Sequence, residues 1–203
     1  MEKNPGPHSL RLQLRRALES LNDTLKDAYA DGRIWYESDV HYVTLRHLTD
    51  QLVALDPRWI VGSQHELGGW RPDIVCYHAP AEYADLLDDS DSYVLGVIEI
   101  KFASGLGDDL EKLADLQRNE GRLLWMVYGD HFSPTIHQTY AERQAEREES
   151  IRAWMKTSPD TRGCTILKCA QMAPRDDRAA RVLKALNETP FWHHRPTRSH
   201  RGT

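Results

Sequence analysis

The stretch Tyr93-Val-Leu-Gly-Val-Ile-Glu-Ile-Lys-Phe-Ala103 has the composition of a buried β-strand, because β-branched and aromatic residues dominate it. Side chains alternate along a strand, so Ile98 and Ile100 are predicted on one face and Glu99 and Lys101 on the other. A carboxylate and an ammonium in a strand with apolar residues on both faces cost free energy unless they are paired or bind a ligand. This pair is therefore the first indication of an active site.

Composition narrows the class of protein around this strand. The 203 residues, of which 40% are hydrophobic, predict one main domain with additions. No apolar run reaches the length of a membrane span and no signal peptide is recognised, so no membrane association is expected. Cys76, Cys164 and Cys169 lack zinc-ligand spacing and are expected to be reduced structural thiols, which predicts a cytoplasmic location. The net charge of −5 excludes a generic polyanion binder, so nucleic-acid contact would need a local basic patch or metal ions.

The hydrophobic periodicity predicts an alternating α/β order of elements. The elements up to the middle of the chain are a helix over 9–29, a helix from 38 or 39 to 55, strands over 59–67 and 71–77 joined by a turn at Gly68-Gly69, and the strand 93–103. The later elements are a helix over 108–119, a strand over 123–128, a helix over 134–156, a strand over 163–171 and a helix over 176–187. This order predicts a mixed sheet of four or five strands flanked by helices.

The predicted organisation has four parts. Residues 1–36 form an N-terminal helical extension, and residues 37–130 form the core that carries the charged strand. Residues 131–192 form a helix-strand-helix unit packed on that core. Residues 193–203 form a basic, flexible tail.

Asp73 completes a constellation of charged residues on neighbouring strands. It begins the strand that precedes Glu99 and Lys101, so adjacent strands can bring the three side chains to one face of the sheet. Two carboxylates and a backbone carbonyl such as that of Ile100 form the oxygen-rich site that Mg²⁺ or Mn²⁺ prefers. Lys101 could act on the attacking water or stabilise charge on the phosphoryl oxygens, and the sequence leaves both roles open.

Pro72-Asp73 and Glu99-x-Lys101 together resemble the PD-(D/E)xK nuclease superfamily, which has the restriction endonuclease-like fold. The order helix, three strands, helix, strand also resembles the core of that superfamily, over about residues 37–128. The resemblance implies hydrolysis of phosphodiester bonds with Mg²⁺ or Mn²⁺ held by Asp73 and Glu99. The structural alternative is a solvent-facing Glu/Lys pair on an edge strand, with Asp73 a turn residue.

The resemblance also implies accessory residues on the two helices that flank the core strands. Members often carry a further acid on the first core helix, and Glu37 fits that role best, with Asp39 as its competitor. A polar residue on the helix after the lysine is also common, and either Gln117 or Lys112 could fill it. A simple acid before the helix, for Glu37, and a solvated helix face, for Gln117 and Lys112, are the structural alternatives.

The sequence thus predicts a Mg²⁺-dependent nuclease that acts on DNA, alone, as a homodimer or in a larger nuclease complex. The alternatives are an inactive nuclease-like fold that binds nucleic acid or supports assembly, and an RNA-directed nuclease. Arg11, Arg15 and Arg16 on the first helix could contact phosphates, although ordinary surface charge explains them equally well. The leucines of the same helix could form a dimer interface, with packing on the protein's own core as the default.

Overall fold

The computed structural model describes residues 6–63, 66–67, 69–79, 93–102, 105–116, 121–130 and 138–168. In these ranges the chain forms four helices and five strands. The helices are α1 (Pro7–Ala30), α2 (Glu37–Leu55), α3 (Asp109–Leu116) and α4 (Gln138–Lys156). The strands are β1 (Trp59–Ser63), β2 (Ile74–His78), β3 (Val94–Phe102), β4 (Leu123–Asp130) and β5 (Arg162–Lys168).

The strands form one mixed sheet in the order β1-β2-β3-β4-β5. β1, β2 and β3 pair antiparallel, whereas β3, β4 and β5 pair parallel. The parallel pairs are joined by long connections that contain α3 and α4, as crossover geometry requires. The structure therefore confirms the predicted α/β class and mixed sheet, with two N-terminal helices and further flanking helices.

Helices cover both faces of the sheet and create two apolar cores. The first core lies between the sheet and α1 with α2, and it contains Ile98 and Ile100 of the central strand. The second core lies between the sheet and α3 with α4, and it contains Val97, one position from Ile98. Alternation along β3 thus places Glu99 and Lys101 on the face of the second core, which confirms the predicted alternation.

α1 contributes a stripe of leucines to the first core. Leu14, Leu18, Leu21 and Leu25 are fully buried within the chain's own fold, so this stripe packs on its own core and not on a second copy. Gly96 of β3 permits the close approach, because a Cβ at that position would lie 2.3 Å from Leu14 Cδ2. The N-terminal helix is therefore in direct contact with the central strand.

Several predicted boundaries differ from the structure for local reasons. The first strand ends at Ser63, and Leu67 instead exchanges two backbone hydrogen bonds with Trp70, which confirms a tight turn between them. The second strand begins at Ile74 and not at residue 71, because Pro72 lacks the N–H that a ladder needs. The predicted helix over 176–187, the basic tail and Cys169 lie outside the described residues.

The remaining described features agree with the predicted chemistry of the chain. Cys76 is buried in the first core, as predicted, and its burial raises the pKa of its thiol. Cys164 is a free thiol that lies within β5. Among the helices that the model describes, none combines the length and apolarity that crossing a bilayer would require.

Candidate active site

The second half of β3 extends past Ile74, the first residue of β2. Side chains there accept backbone hydrogen bonds from β3 in place of a neighbouring strand. Pairing with β2 stops at Ile74 opposite Ile98. Further along, the Ile100 N–H donates to Asp73 Oδ2 at 2.7 Å, and the Phe102 N–H donates to Glu37 Oε2 at 3.0 Å. Two carboxylates therefore occupy the place where a neighbouring strand would continue, and they meet at the same end of β3.

Asp73 lies at this end because it immediately precedes β2. The pairing of Ile74 with Ile98 puts Asp73 level with Glu99 and on the same face of the sheet. Burial raises the pKa of the half-buried Asp73 carboxyl, which outweighs the hydrogen bond from Ile100 and the charges of Lys101 and His41 that lower it. A carboxylate with these neighbours gains from a nearby cation.

Glu99 is the most unusual group of the site. The residue is only 5% exposed, and its Oε1 lies 3.2 Å from Lys101 Nζ. Its Oε2 is buried and has no hydrogen-bond partner among the residues that the structure describes. Burial, together with the charge of Asp73, raises the pKa of Glu99 to about 7 despite the opposing effect of Lys101. A buried carboxylate oxygen without a partner is costly, so it marks a position that a cation or donor would complete.

Lys101 lies between two acids. Its Nζ is 3.2 Å from Glu99 Oε1 and 3.4 Å from Asp109 Oδ2 at the start of α3. Burial disfavours its charged form, but Glu99 and Asp109 outweigh that effect and raise the pKa of Lys101. Lys101 is therefore an ammonium at neutral pH, held at the face where Asp73 and Glu99 meet.

Glu37 and Asp39, the two candidates for the acid of the first core helix, have different roles. Glu37 is the first residue of α2 and reaches β3 through Phe102. Asp39 Oδ2 instead accepts from the backbone N–H groups of Trp35 at 2.8 Å and Tyr36 at 2.9 Å, which caps the helix start. The structure brings Glu37, and not Asp39, to the end of β3.

Of the two accessory candidates, one is described by the structure. Lys112 Nζ lies 2.8 Å from Asp108 Oδ1 and 3.7 Å from Asp109 Oδ1. It thus meets the site through Asp109, which also contacts Lys101. Gln117 lies outside the described residues.

Two residues join the site that the sequence interpretation did not single out. Asp109 pairs with Lys101, and His41 Nε2 donates to the Asp73 backbone carbonyl at 3.0 Å. His41 follows Glu37 by four residues on α2, so helical spacing places both on one side of the helix. That spacing was the signal available for His41, whereas the contact of Asp109 depends on how α3 packs.

The residues present fit a divalent metal in number and in donor chemistry. No group of three or more His, Cys, Asp or Glu side chains suited to a metal was found within the described ranges. Mg²⁺, however, is commonly held by one or two carboxylates with several waters. Asp73 and the Glu99 Oε2 without a partner supply that set, with the Ile100 carbonyl as a further candidate ligand.

The chain matches no protein-family model, no curated protein and no solved structure. The functional assignment therefore depends on the residues and their geometry alone.

Proposed function

We propose that this chain is a metal-dependent nuclease with a PD-(D/E)xK, restriction endonuclease-like core that hydrolyses phosphodiester bonds in nucleic acid, with DNA as the favoured substrate. The observation that carries the proposal is the buried Glu99 Oε2 without a partner, on the sheet face that Asp73 also borders. Strands β1, β2 and β3 are antiparallel, and β4 then pairs parallel to β3. This topology supports the same fold assignment.

In this mechanism each residue has a defined task. Asp73 and Glu99 would hold Mg²⁺ or Mn²⁺, which supplies Lewis-acid polarisation of the phosphate and a more acidic water when bound. Lys101, as an ammonium, stabilises negative charge on the phosphoryl oxygens. Glu37 is a positioning residue, because its carboxylate fixes the Phe102 N–H at the end of β3.

A second candidate function has a specific observation in its favour. Asp73 and Glu37 each accept a backbone hydrogen bond, and Lys101 pairs with both Glu99 and Asp109. Such internal pairing would also hold together a nuclease-like fold that binds nucleic acid or supports assembly without cleavage. The Glu99 oxygen without a partner favours the enzyme over this alternative.

A cleavage assay with matched variants tests the proposal. The purified protein is incubated with linear, circular, single-stranded and branched DNA and with RNA, with and without Mg²⁺ or Mn²⁺. Cleavage should require the metal and should fall at least about a hundredfold in Asp73→Asn, Glu99→Gln and Lys101→Ala. Glu111→Gln, an exposed acid on α3, is the control and should cleave like the parent.

Calorimetric titration with Mn²⁺ gives a readout that does not depend on activity. Binding should be present in the parent and strongly weakened in Glu99→Gln. Cleavage that survives unchanged in all three site variants would refute the enzyme assignment. An absence of both metal binding and cleavage would favour the binding module.

A further inference from the structure

Two adjoining cavities lie near the N-terminal half of α1, away from the end of that helix that leads to Glu37. Their volumes are about 480 Å³ and 370 Å³, within the range that small ligands or ligand segments occupy. Arg15 lines both cavities, so its side chain stands where they meet. We refer to the two cavities together as the α1 groove, which lies between α1 on one side and residues 123, 125 and 155–166 on the other.

The shape of the α1 groove follows one side of α1. Six residues of α1 line it, and apart from Leu12 they are spaced by three or four positions, namely His8, Arg11, Arg15, Glu19 and Asn22. The first and last residues of this row, His8 and Asn22, are 14 positions apart, or about 21 Å at 1.5 Å per residue. A groove of that length fits an extended ligand better than a single compact ion.

Two arginines in the groove are held in place by neutral partners. Arg11 Nη1 donates to the Gly121 carbonyl at 2.6 Å, and Arg15 Nη2 donates to the Pro159 carbonyl at 2.7 Å. Each contact orders a guanidinium without cancelling its charge and leaves further N–H donors for a ligand. Because the side chains are already ordered, an anion that binds them pays less conformational entropy.

The positive charge of the groove is not balanced within the described part of the chain. Arg11, Arg15 and Lys156 form no ion pair there. Arg11 and Arg15 are also four residues apart on one helix, where like charges repel. Against these cations and Arg162 the groove has two acids, the exposed Glu19 and Asp160.

The start of α1 adds to this local field. Its first turn contains no acidic residue, so the positive end of the helix dipole is not offset by its own side chains. The whole chain nevertheless carries a net charge of −5. The α1 groove is thus a local concentration of positive charge on an acidic protein, which is the pattern expected of a specific anion site.

We propose that the α1 groove binds backbone phosphates of the nucleic-acid substrate at positions outside the candidate active site. This inference rests on the proposed nuclease function, because it assigns part of the same substrate's binding surface. Cations on both walls of a groove about 21 Å long match the repeated charge of a phosphate backbone. Arg11, Arg15 and Lys156 anchor the substrate and are not catalytic residues.

The test measures the salt dependence of DNA binding without divalent metal, so that no cleavage occurs. Fluorescence anisotropy of a labelled duplex and of a labelled single strand is recorded with EDTA over a series of NaCl concentrations. The Arg11→Gln/Arg15→Gln variant should weaken binding at low salt at least about tenfold. It should also reduce the slope of log K against log salt by about 2, since each lost phosphate contact removes about 0.9.

Matched variants separate this effect from a general loss of charge or of folding. Lys26→Gln/Arg46→Gln removes two exposed cations outside the α1 groove and should leave the slope unchanged. Lys156→Gln removes an exposed cation of the opposite wall without disturbing the contacts of α1, and should reduce the slope by about 1. Arg11→Lys/Arg15→Lys keeps the charge and should keep most of the slope.

The outcomes show separately whether the groove proposal or the nuclease proposal fails. Equal slopes for the groove variants and the control double variant would overturn the groove proposal, even in a protein that cleaves DNA. The same holds if adenosine monophosphate or inorganic phosphate binds the groove and DNA binding does not depend on it. A reduced slope in a protein that never cleaves would support the groove and refute the nuclease.

Discussion

The two halves of β3 differ in what receives their backbone hydrogen bonds. In its first half the strand pairs with β2 from Val94 to Ile98, and from Gly96 to Ile98 it is paired with β4 as well. From Glu99 to Phe102 it still pairs with β4, but Asp73 and Glu37 carboxylates replace β2. The first half is held by strand neighbours, and the second half is held by acids.

This difference explains why charged groups collect at one end of a buried strand. A strand that outlasts its neighbour leaves N–H groups that must find acceptors, and carboxylates are strong acceptors for them. Each carboxylate has a second oxygen, so the same acids can face a ligand. Asp73, at the start of β2, thus orders the site through a backbone contact and leaves acceptor capacity for function.

The largest expected effects are a loss of stability from a substitution in the first half of β3 and a loss of cleavage from one in the second half. Ile98→Ala, in the first half, leaves a cavity and should lower the free energy of unfolding by about 3 kcal/mol. The cleavage rate of the remaining folded protein should stay near that of the parent. Glu99→Gln, one residue later, should reduce cleavage at least about a hundredfold while the protein stays folded. Urea unfolding and single-turnover cleavage measure the two properties. Equal effects of the two substitutions on both would show that the halves of β3 do not differ in this way.

The pH dependence of stability tests the protonation of Glu99 in the folded protein. Its pKa is about 7 in the folded protein and 4.5 ordinarily, so between these values the folded state holds a proton that the unfolded state has released. The stabilising contribution is complete below pH 4.5 and is lost as the pH rises towards and through 7. Between pH 4 and pH 8 the parent should therefore lose about 3 kcal/mol of unfolding free energy relative to Glu99→Gln.

Urea unfolding in EDTA at several pH values measures this shift. A difference that stays constant with pH would show that Glu99 titrates normally. Adding Mn²⁺ at pH 8 should restore stability to the parent and not to Glu99→Gln, because a bound cation favours the charged carboxylate.

A smaller effect on stability is expected from substitutions of Asp73, whose side chain accepts the Ile100 N–H where pairing with β2 has stopped. Asp73→Ala removes the acceptor of the Ile100 N–H and should lower the unfolding free energy about 2 kcal/mol further than Asp73→Asn, which keeps an acceptor. Asp160→Ala, an exposed aspartate, should change stability by less than about 0.5 kcal/mol. Equal stability of the Asn and Ala variants at Asp73 would mean that the backbone contact contributes nothing.

The smallest expected effect lies at His41, which holds Asp73 from the other side. His41→Phe removes the donor to the Asp73 carbonyl and should lower the unfolding free energy by about 1 kcal/mol. His41→Gln keeps a donor and should recover part of that loss. Thermal unfolding of the two variants at equal pH measures the difference, and a more stable Phe variant would count against this contact.

The sequence predicted the parts of this arrangement that depend on local pattern. Glu99 and Lys101 were identifiable because charges interrupt an apolar strand, and the alternation placed them on one face. The α/β order and the mixed sheet followed from periodicity in the same way. The structure also connects Glu37 to β3, although its position alone did not distinguish it from a helix-capping acid.

The parts that depend on packing were not predictable. The pairing of Asp109 with Lys101 requires the position of α3, which no short spacing encodes. The contact of the Asp73 side chain with the Ile100 N–H likewise joins residues far apart in the chain, and no short spacing encodes it. The alternation of side chains along β3 follows from its local sequence. The contacts that Asp73 and Asp109 make with β3 depend on tertiary packing.

The contact between Gly96 and Leu14 has a consequence for how this chain can evolve. A methyl group at residue 96 would overlap Leu14, so neither position can grow while the other stays fixed. A larger residue in the central strand would have to be inherited together with a smaller one in the first helix. Divergent descendants of this chain should therefore vary at positions 14 and 96 as a correlated pair.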